Sequence, residues 1–404
     1  RTYALEDGVA TVYAGEVVAG GTGFNSETVD YQMIIPEDGT GNGFGTSSNA
    51  ICAICHNPNQ ASNYNRDQAR EWFKWFVKQT DVDGFRWDAV KHFPHFVVQD
   101  LSYNVKYLND WANRGEHMLN FGEYVGGGTT LDNWVNDVAG SNGGSEKLIG
   151  AIDFGLRGAF YGIVTGNGAY DLAQVPGTQQ QERVAYYPST NTYVHLTIPF
   201  INNHDTYRPI VNGDGNITGW NTADELAPHI EPNDPRLSAI YALNFALDGN
   251  PLIFFEDLFN VNNTGKRFTH EPTSTTDLPN NSDLENLIWC HQNLGFKVGP
   301  YKVRSHSGNT NDHLIIERSG KAIISVTDNW SDWQNDWVDS DFPPGTVLKD
   351  YGNSNANTTT VQNDKRVLIS TPPCDGSETR RGYSVWAPVG LDNNTYDPPR
   401  STLT

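Results

Sequence analysis

The run DGFRWDAVKHF, from Asp83 to Phe93, constrains the fold more than any other stretch of the chain. An acidic, glycine-containing turn opens into an apolar strand in which Arg86 and Asp88 stand two apart. On a strand that spacing points both side chains to one side. An arginine and a carboxylate on one strand face make either a buried structural ion pair or part of a site. Two later runs have the same form. Glu123 ends the apolar run LNFGE and glycines follow it, and His204 and Asp205 end IPFINNHD. Three carboxylates thus close three strand-like runs, each followed by a loop and a helical pattern. In a (β/α)8 barrel such strand ends converge on one face, and that face holds the active site.

The pattern around these runs alternates. Residues 66–80 place Ala69, Trp72, Phe73, Phe76 and Val77 at helical spacing, one apolar stripe for packing, with Asn65 as a cap. Helical patterns recur over 96–113 and in LDNWVNDV. Strands are expected over 82–88, 117–123, 148–154, 194–202 and 251–256, with Asp153 structural rather than catalytic. Asn233 or Asp234 caps the helix that Pro235 opens and Gly249 stops. LENLIWCHQNLG closes the alternation as a helix. Those are five strands, whereas a closed barrel needs eight. Residues 1–60 are rich in Gly, Thr and Asn and read as irregular β-structure with long loops. From Lys297 the period becomes two, in HLIIERSG, KAIISVTD, GTVLKDYG, RVLISTPP and GYSVWAPV.

Taken together, DGFRWDAVKH, FGEYV and FINNHD resemble the strand-four, strand-five and strand-seven motifs of the α-amylase family of glycoside hydrolases, family 13. The resemblance extends from the helix at Arg66 to the end of the C-terminal strands. It implies an α/β fold: a (β/α)8 TIM barrel over residues 63–296, an inserted loop-rich domain over 1–62, an antiparallel β-sandwich over 297–390, and a tail or linker over 391–404. The first three barrel strands and the first motif are not found ahead of Arg66. They are expected outside this numbering, or on a separate N-terminal fragment. That motif would carry an aspartate and a histidine for the sugar and an asparagine for calcium.

By the same resemblance, Asp88 is a nucleophile, Glu123 a general acid/base and Asp205 a stabiliser of the transition state. Arg86, Lys91, His92 and His204 are substrate contacts, and the His92 backbone carbonyl is a calcium ligand. The implied activity is retaining endo-hydrolysis of α-1,4-glucosidic bonds in starch-like glucans. Retention brings the two carboxyls about 5–5.5 Å apart. The residue chemistry agrees in direction, since Arg86 favours an ionised Asp88 and an apolar setting raises Glu123. Release of a short maltooligosaccharide, or transglycosylation, uses the same three carboxylates. A non-catalytic glycan-binding relative would usually lack at least one of them.

The net charge of -21 and pI near 4.8 argue against nucleic acid or an anionic membrane as partner and suit a neutral glucan. No run of about 18 apolar residues occurs. A secreted or extracytoplasmic location accompanies the resemblance. The first residue, Arg1, reads as a processed or cut start. Cys52 and Cys55 with His56 match a C-x-x-C-H haem pattern, but no second haem signal supports it. No haem is expected, and a local disulfide or a metal-binding thiol pair fits better. Trp330, Trp333 and Trp337 either cover the C-terminal sheet or stack on sugar rings.

Overall fold

The structure is a computed structural model. It describes residues 64–391 apart from 93–94, 106–117, 140–148, 188–191, 208, 215–216, 221–227, 232–233, 259–280, 298–299 and 378–379. The inserted domain expected over 1–62, with Cys52, Cys55 and His56, and the tail after 391 lie outside the described residues. The chain divides into two compact units, Arg1–Ile152 with Gln180–Thr197, and Asp153–Gln179 with Ile198–Thr404.

In the first unit, helix α1 (Tyr64–Thr80) starts one residue before Asn65, so Asn65 lies inside the helix and does not cap it. The expected apolar stripe splits. Val77 is buried and Phe73 packs on the rings of Phe85 and Trp87, each at 5.2 Å, whereas Trp72 is 51% exposed. Strand β1 (Gly84–Trp87), helix α2 (His95–Val105), strand β2 (Leu119–Gly122), helix α3 (Thr129–Ala139) and strand β3 (Gly150–Ala151) follow. The strands pair in parallel in the order β1-β2-β3, with Arg86 opposite Phe121 and Phe121 opposite Gly150. Parallel neighbours need a crossover, and α2 and α3 supply it. Trp87, Val90, Val98, Leu131, Val135 and Ile149 form the core between sheet and helices. Gly122 is required there, because a Cβ would come within 2.2 Å of the Trp134 ring on α3. Strands β4 (Val184–Tyr187) and β5 (Thr192–His195) form an antiparallel hairpin.

The second unit opens with helix α4 (Phe154–Gly166). The Asp153 carboxylate accepts from Leu156 N at 3.0 Å and caps it, a structural role. A small hairpin of β6 (Pro209–Val211) and β7 (Ile217–Trp220) precedes helix α5 (Leu237–Ala246), every residue of which is buried. Asp234 accepts from Arg236 N at 2.8 Å in the turn ahead of it. Helix α6 (Ser282–Asn293) is capped by Asn281, which accepts from the Asp283 and Leu284 amides.

Two expected strands are not drawn as such. The run 194–202 is split between β5 and an extended piece whose Ile198 carbonyl accepts from Asp153 N at 3.0 Å. The run 251–256 makes one such bond, Leu252 N to Pro199 O at 2.9 Å, and ends in the helical turn Phe255–Leu258. Pro199 and Pro251 have no N–H to give a ladder, which limits pairing to single bonds. Among the described residues, then, the parallel sheet has three strands, not the five read from the sequence.

The C-terminal part is antiparallel, as its period-two pattern predicts. Strands β8 (Tyr301–Val303), β9 (Leu314–Arg318), β10 (Ala322–Val326), β12 (Val347–Asp350), β13 (Thr358–Thr360) and β15 (Tyr383–Pro388) form a sheet in the order β13-β12-β15-β10-β9-β8. Strands β11 (Gln334–Asp339) and β14 (Arg366–Thr371) pair separately, with Trp337 opposite Leu368. Ile315, Ile323, Val338, Val367, Ile369 and Trp386 join the two sheets in one core. Trp330, Trp333 and Trp337 do not cover this core. All three are exposed, with guanidinium groups of Arg236 over Trp330 and Arg366 over Trp337.

Candidate active site

The site is built where β1 and β2 end. Arg86 is the third residue of β1, and Asp88 follows the strand directly. The Arg86 guanidinium gives Nη1 to Asp88 Oδ1 at 2.6 Å and holds Nη2 3.1 Å from Glu123 Oε2. One cation therefore serves both carboxylates. The main chain fixes Glu123 on both sides: its N–H donates to the Trp87 carbonyl at 2.8 Å, and its own carbonyl accepts from Val90 N at 3.2 Å. Ala89 takes a left-handed φ of 50°, which costs a non-glycine residue on the order of 1 kcal/mol. The same turn donates Ala89 N–H to Glu123 Oε2 at 3.3 Å.

The two carboxylates sit in unlike surroundings. The Asp88 side chain is 69% exposed, whereas that of Glu123 is 7% exposed. Glu123 Oε1 is buried and finds no hydrogen-bond partner. Burial is the main cause that raises the Glu123 carboxyl above its ordinary value, with hydrogen bonding to Asp88 next. Arg86 and the Ala89 amide oppose this without reversing it. A buried carboxyl with one oxygen unpartnered is suited to hold a proton, and an exposed one clamped by arginine is suited to stay ionised.

Lys91 and His92 are exposed on the single 3-10 turn Val90–His92. Lys91 lines a groove of about 320 Å³ with His95, Tyr124, Thr130, Trp134 and Asp137. His204 and Asp205 belong to the second unit and form a pair, Nε2 to Oδ2 at 3.1 Å. Asn203 builds their turn: its Oδ1 accepts from the Asp205 and Thr206 amides at 3.0 and 2.9 Å. Asn202, also buried, reaches the Ile230 carbonyl at 2.9 Å and the Asp257 carboxylate at 3.0 Å. Asp257 also accepts from the Tyr241 hydroxyl at 2.7 Å, and burial pushes its carboxyl up to about 7. Nothing in the sequence pattern marks Asp257. The consecutive asparagines in an apolar run were the available sign that this motif is anchored from inside.

Comparisons with known proteins bear on this geometry. The family model described as "Alpha-amylase C-terminal" matches residues 322–387. The α-amylase of Geobacillus stearothermophilus is 23% identical over 201 residues, which cover 48% of this chain and 29% of that protein. The family model and the curated relative both point to the α-amylase family. Among solved structures, an α-amylase from Malbranchea cinnamomea aligns with a TM-score of 0.54 at 12% identity, over 81% of this chain and 60% of its own. The α-amylase of Geobacillus thermoleovorans, complexed with acarbose, aligns with a TM-score of 0.50 at 16% identity, over 78% of this chain and 62% of its own. The chain thus spans less than two thirds of these amylases, and at such identities the structural likeness concerns the fold.

Proposed function

We propose that this chain carries the catalytic carboxylates of a retaining glycoside hydrolase acting within α-1,4-linked, starch-like glucans. The observation that carries the proposal is the unequal pair, exposed Asp88 and buried Glu123 on one Arg86 guanidinium. In the first step, Asp88 attacks the anomeric carbon and the glycosidic C–O bond breaks. The Glu123 proton passes to the leaving oxygen, and a glycosyl ester on Asp88 forms. In the second step, Glu123, now a carboxylate, takes a proton from water. The water oxygen displaces Asp88 and regenerates both groups. Both carboxyls are held on one guanidinium, Asp88 Oδ1 2.6 Å from Nη1 and Glu123 Oε2 3.1 Å from Nη2, and this closeness supports retention over a site with a water between them.

In this reading Asp205 grips sugar hydroxyls as charge develops, with His204 beside it. Lys91 faces the leaving-group side and His92 borders it. The frame in this reading is the (β/α)8 barrel, to which the parallel strands β1, β2 and β3 would belong. The acarbose in the Geobacillus thermoleovorans structure supports an oligosaccharide-like ligand. An extracytoplasmic location belongs to the proposal. Among the described residues no helix is long and apolar enough to cross a membrane.

Calcium enters only at the His92 carbonyl. A calcium ion takes about 6–8 oxygen ligands. Among the described residues, the cluster of three potential ligand side chains lies at His306, His313 and Asp336, not at His92. No step of the reaction is assigned to that ion.

The two roles separate with a substrate whose leaving group needs no protonation. Glu123→Gln should lose nearly all activity on glucan yet still release an activated aryl leaving group. Asp88→Asn should lose both activities. Equal losses of both activities in the two variants would contradict the assignment of roles.

A further inference from the structure

The C-terminal sandwich holds a cluster that this chemistry does not use. His306 lies in the loop after β8, His313 directly precedes β9, and Asp336 is on β11 in the other sheet. One ligand atom from each lies within 4.8 Å of the others.

The hydrogen bonds determine which ring nitrogens face inward. His306 Nε2 is 3.0 Å from the His313 carbonyl oxygen. A carbonyl only accepts, so Nε2 carries a proton and is occupied by that bond, which leaves Nδ1 as the nitrogen facing Asp336. That Nδ1 is 3.3 Å from Asp336 Oδ2 and makes no hydrogen bond. The His306 side chain is 2% exposed, so this nitrogen faces the carboxylate away from solvent. His313 also turns Nδ1 toward Asp336, but there the nitrogen donates its proton to the carboxylate, and an ion would take that proton's place. Its Nε2 lies 2.7 Å from Ser325 Oγ and 3.0 Å from Thr371 Oγ1, and its Nδ1 is 2.7 Å from the same Asp336 Oδ2. Gly308 brings its main chain over this carboxylate, where a Cβ would stand 2.2 Å from Oδ1.

Both imidazoles thus have Nε2 anchored outward and Nδ1 turned toward one carboxylate. Histidines that bind metals are commonly held this way, with the second nitrogen fixed by a carbonyl or another polar group. Two imidazole nitrogens and a carboxylate suit zinc-class ions, with a remaining position for water, and do not suit calcium. We propose that His306, His313 and Asp336 bind a divalent transition-metal ion of the zinc class, which ties the 304–313 loop to both sheets of the sandwich.

The test uses the full chain, stripped with a chelator and titrated with Co²⁺ as a spectroscopic probe and with Zn²⁺ for stability. The expected result is one equivalent of Co²⁺ with the visible bands of a four-coordinate site, and a rise of the unfolding midpoint on adding Zn²⁺. His306→Gln keeps a side-chain amide in the loop but removes the inward nitrogen, and should weaken Co²⁺ binding by at least about tenfold. Asp336→Asn should do the same. If Asp336→Asn does not fold, His306→Gln decides, with circular dichroism confirming its fold. Absence of Co²⁺ binding would overturn the proposal and leave a protonated His–Asp network. Binding unchanged by His306→Gln would place the ion elsewhere, and a midpoint insensitive to Zn²⁺ would remove the tie between the sheets.

Discussion

Two buried carboxylates, one in each unit, show how differently the chain treats the same group. Asp350, on β12 of the sandwich, accepts from the main-chain amides of Gly352, Ser354, Asn355 and Val385 at 2.7–3.0 Å and from Asn355 Nδ2 at 3.1 Å. Glu123 accepts from one amide and one arginine and leaves Oε1 buried with no partner. Burial raises both carboxyls. Around Asp350 the donors are complete, so the group fastens four main-chain amides that would otherwise be unpaired. Around Glu123 they are incomplete, so a proton is easy to keep and to give. A saturated buried carboxylate holds structure, whereas an undersaturated one beside an arginine and a second carboxylate is equipped for proton transfer.

The largest effects should separate these two roles. Glu123→Gln is expected to lower kcat on glucan by about a thousandfold or more, with a change in stability under about 1 kcal/mol. Asp350→Ala should do the reverse. Leaving several buried amides unpaired should cost about 3–5 kcal/mol in denaturant unfolding, while activity of the folded fraction is retained. Comparable stability losses in both variants would erase the distinction.

A smaller effect concerns Arg86. Its positive charge lowers the Glu123 carboxyl, opposing burial. Arg86→Gln removes that opposition, so the Glu123 value should rise. The acid form then survives to higher pH, and the alkaline limb of the kcat profile should move up. A limb that stays in place or moves down would show that Arg86 does not act on this carboxyl.

The smallest effect is on stability against pH. Burial holds Asp257 at about 7, against an ordinary 3.8. The folded chain keeps a proton that the unfolded chain releases across that interval. The stability contributed by this group is full below the lower value and is lost as pH rises toward the upper one. Asp257→Asn should flatten the fall in stability between those pH values. An unchanged slope would mean that Asp257 titrates normally in the fold.

The carboxylate-ended strands β1 and β2 are the most legible part of the sequence. At β1 and β2 an apolar run ends in a carboxylate, so the strand and its chemical end are read together. The sandwich is legible for a related reason, since β14 alternates exposed or half-buried with buried residues. Legibility fails where the chain uses single hydrogen bonds. The runs 194–202 and 251–256 look like strands by composition, but Pro199 and Pro251 limit their ladders. It also fails where partners come from distant segments. Asp257 is explained by Tyr241 and Asn202, and His306 by Asp336, and none of these pairs shares a spacing that a period could reveal. The stripe on α1 marks a helix correctly but not its depth, because Trp72 turns to solvent while Phe73 and Val77 turn in.

The central claim is that Asp88 and Glu123 act as a retaining pair. It is tested most directly by proton NMR of the first sugar end released from an α-1,4-glucan by the full chain, before mutarotation. The α-anomer is the expected product, formed through two displacements at one carbon. An initial β-anomer would mean a single displacement by water and would contradict the account.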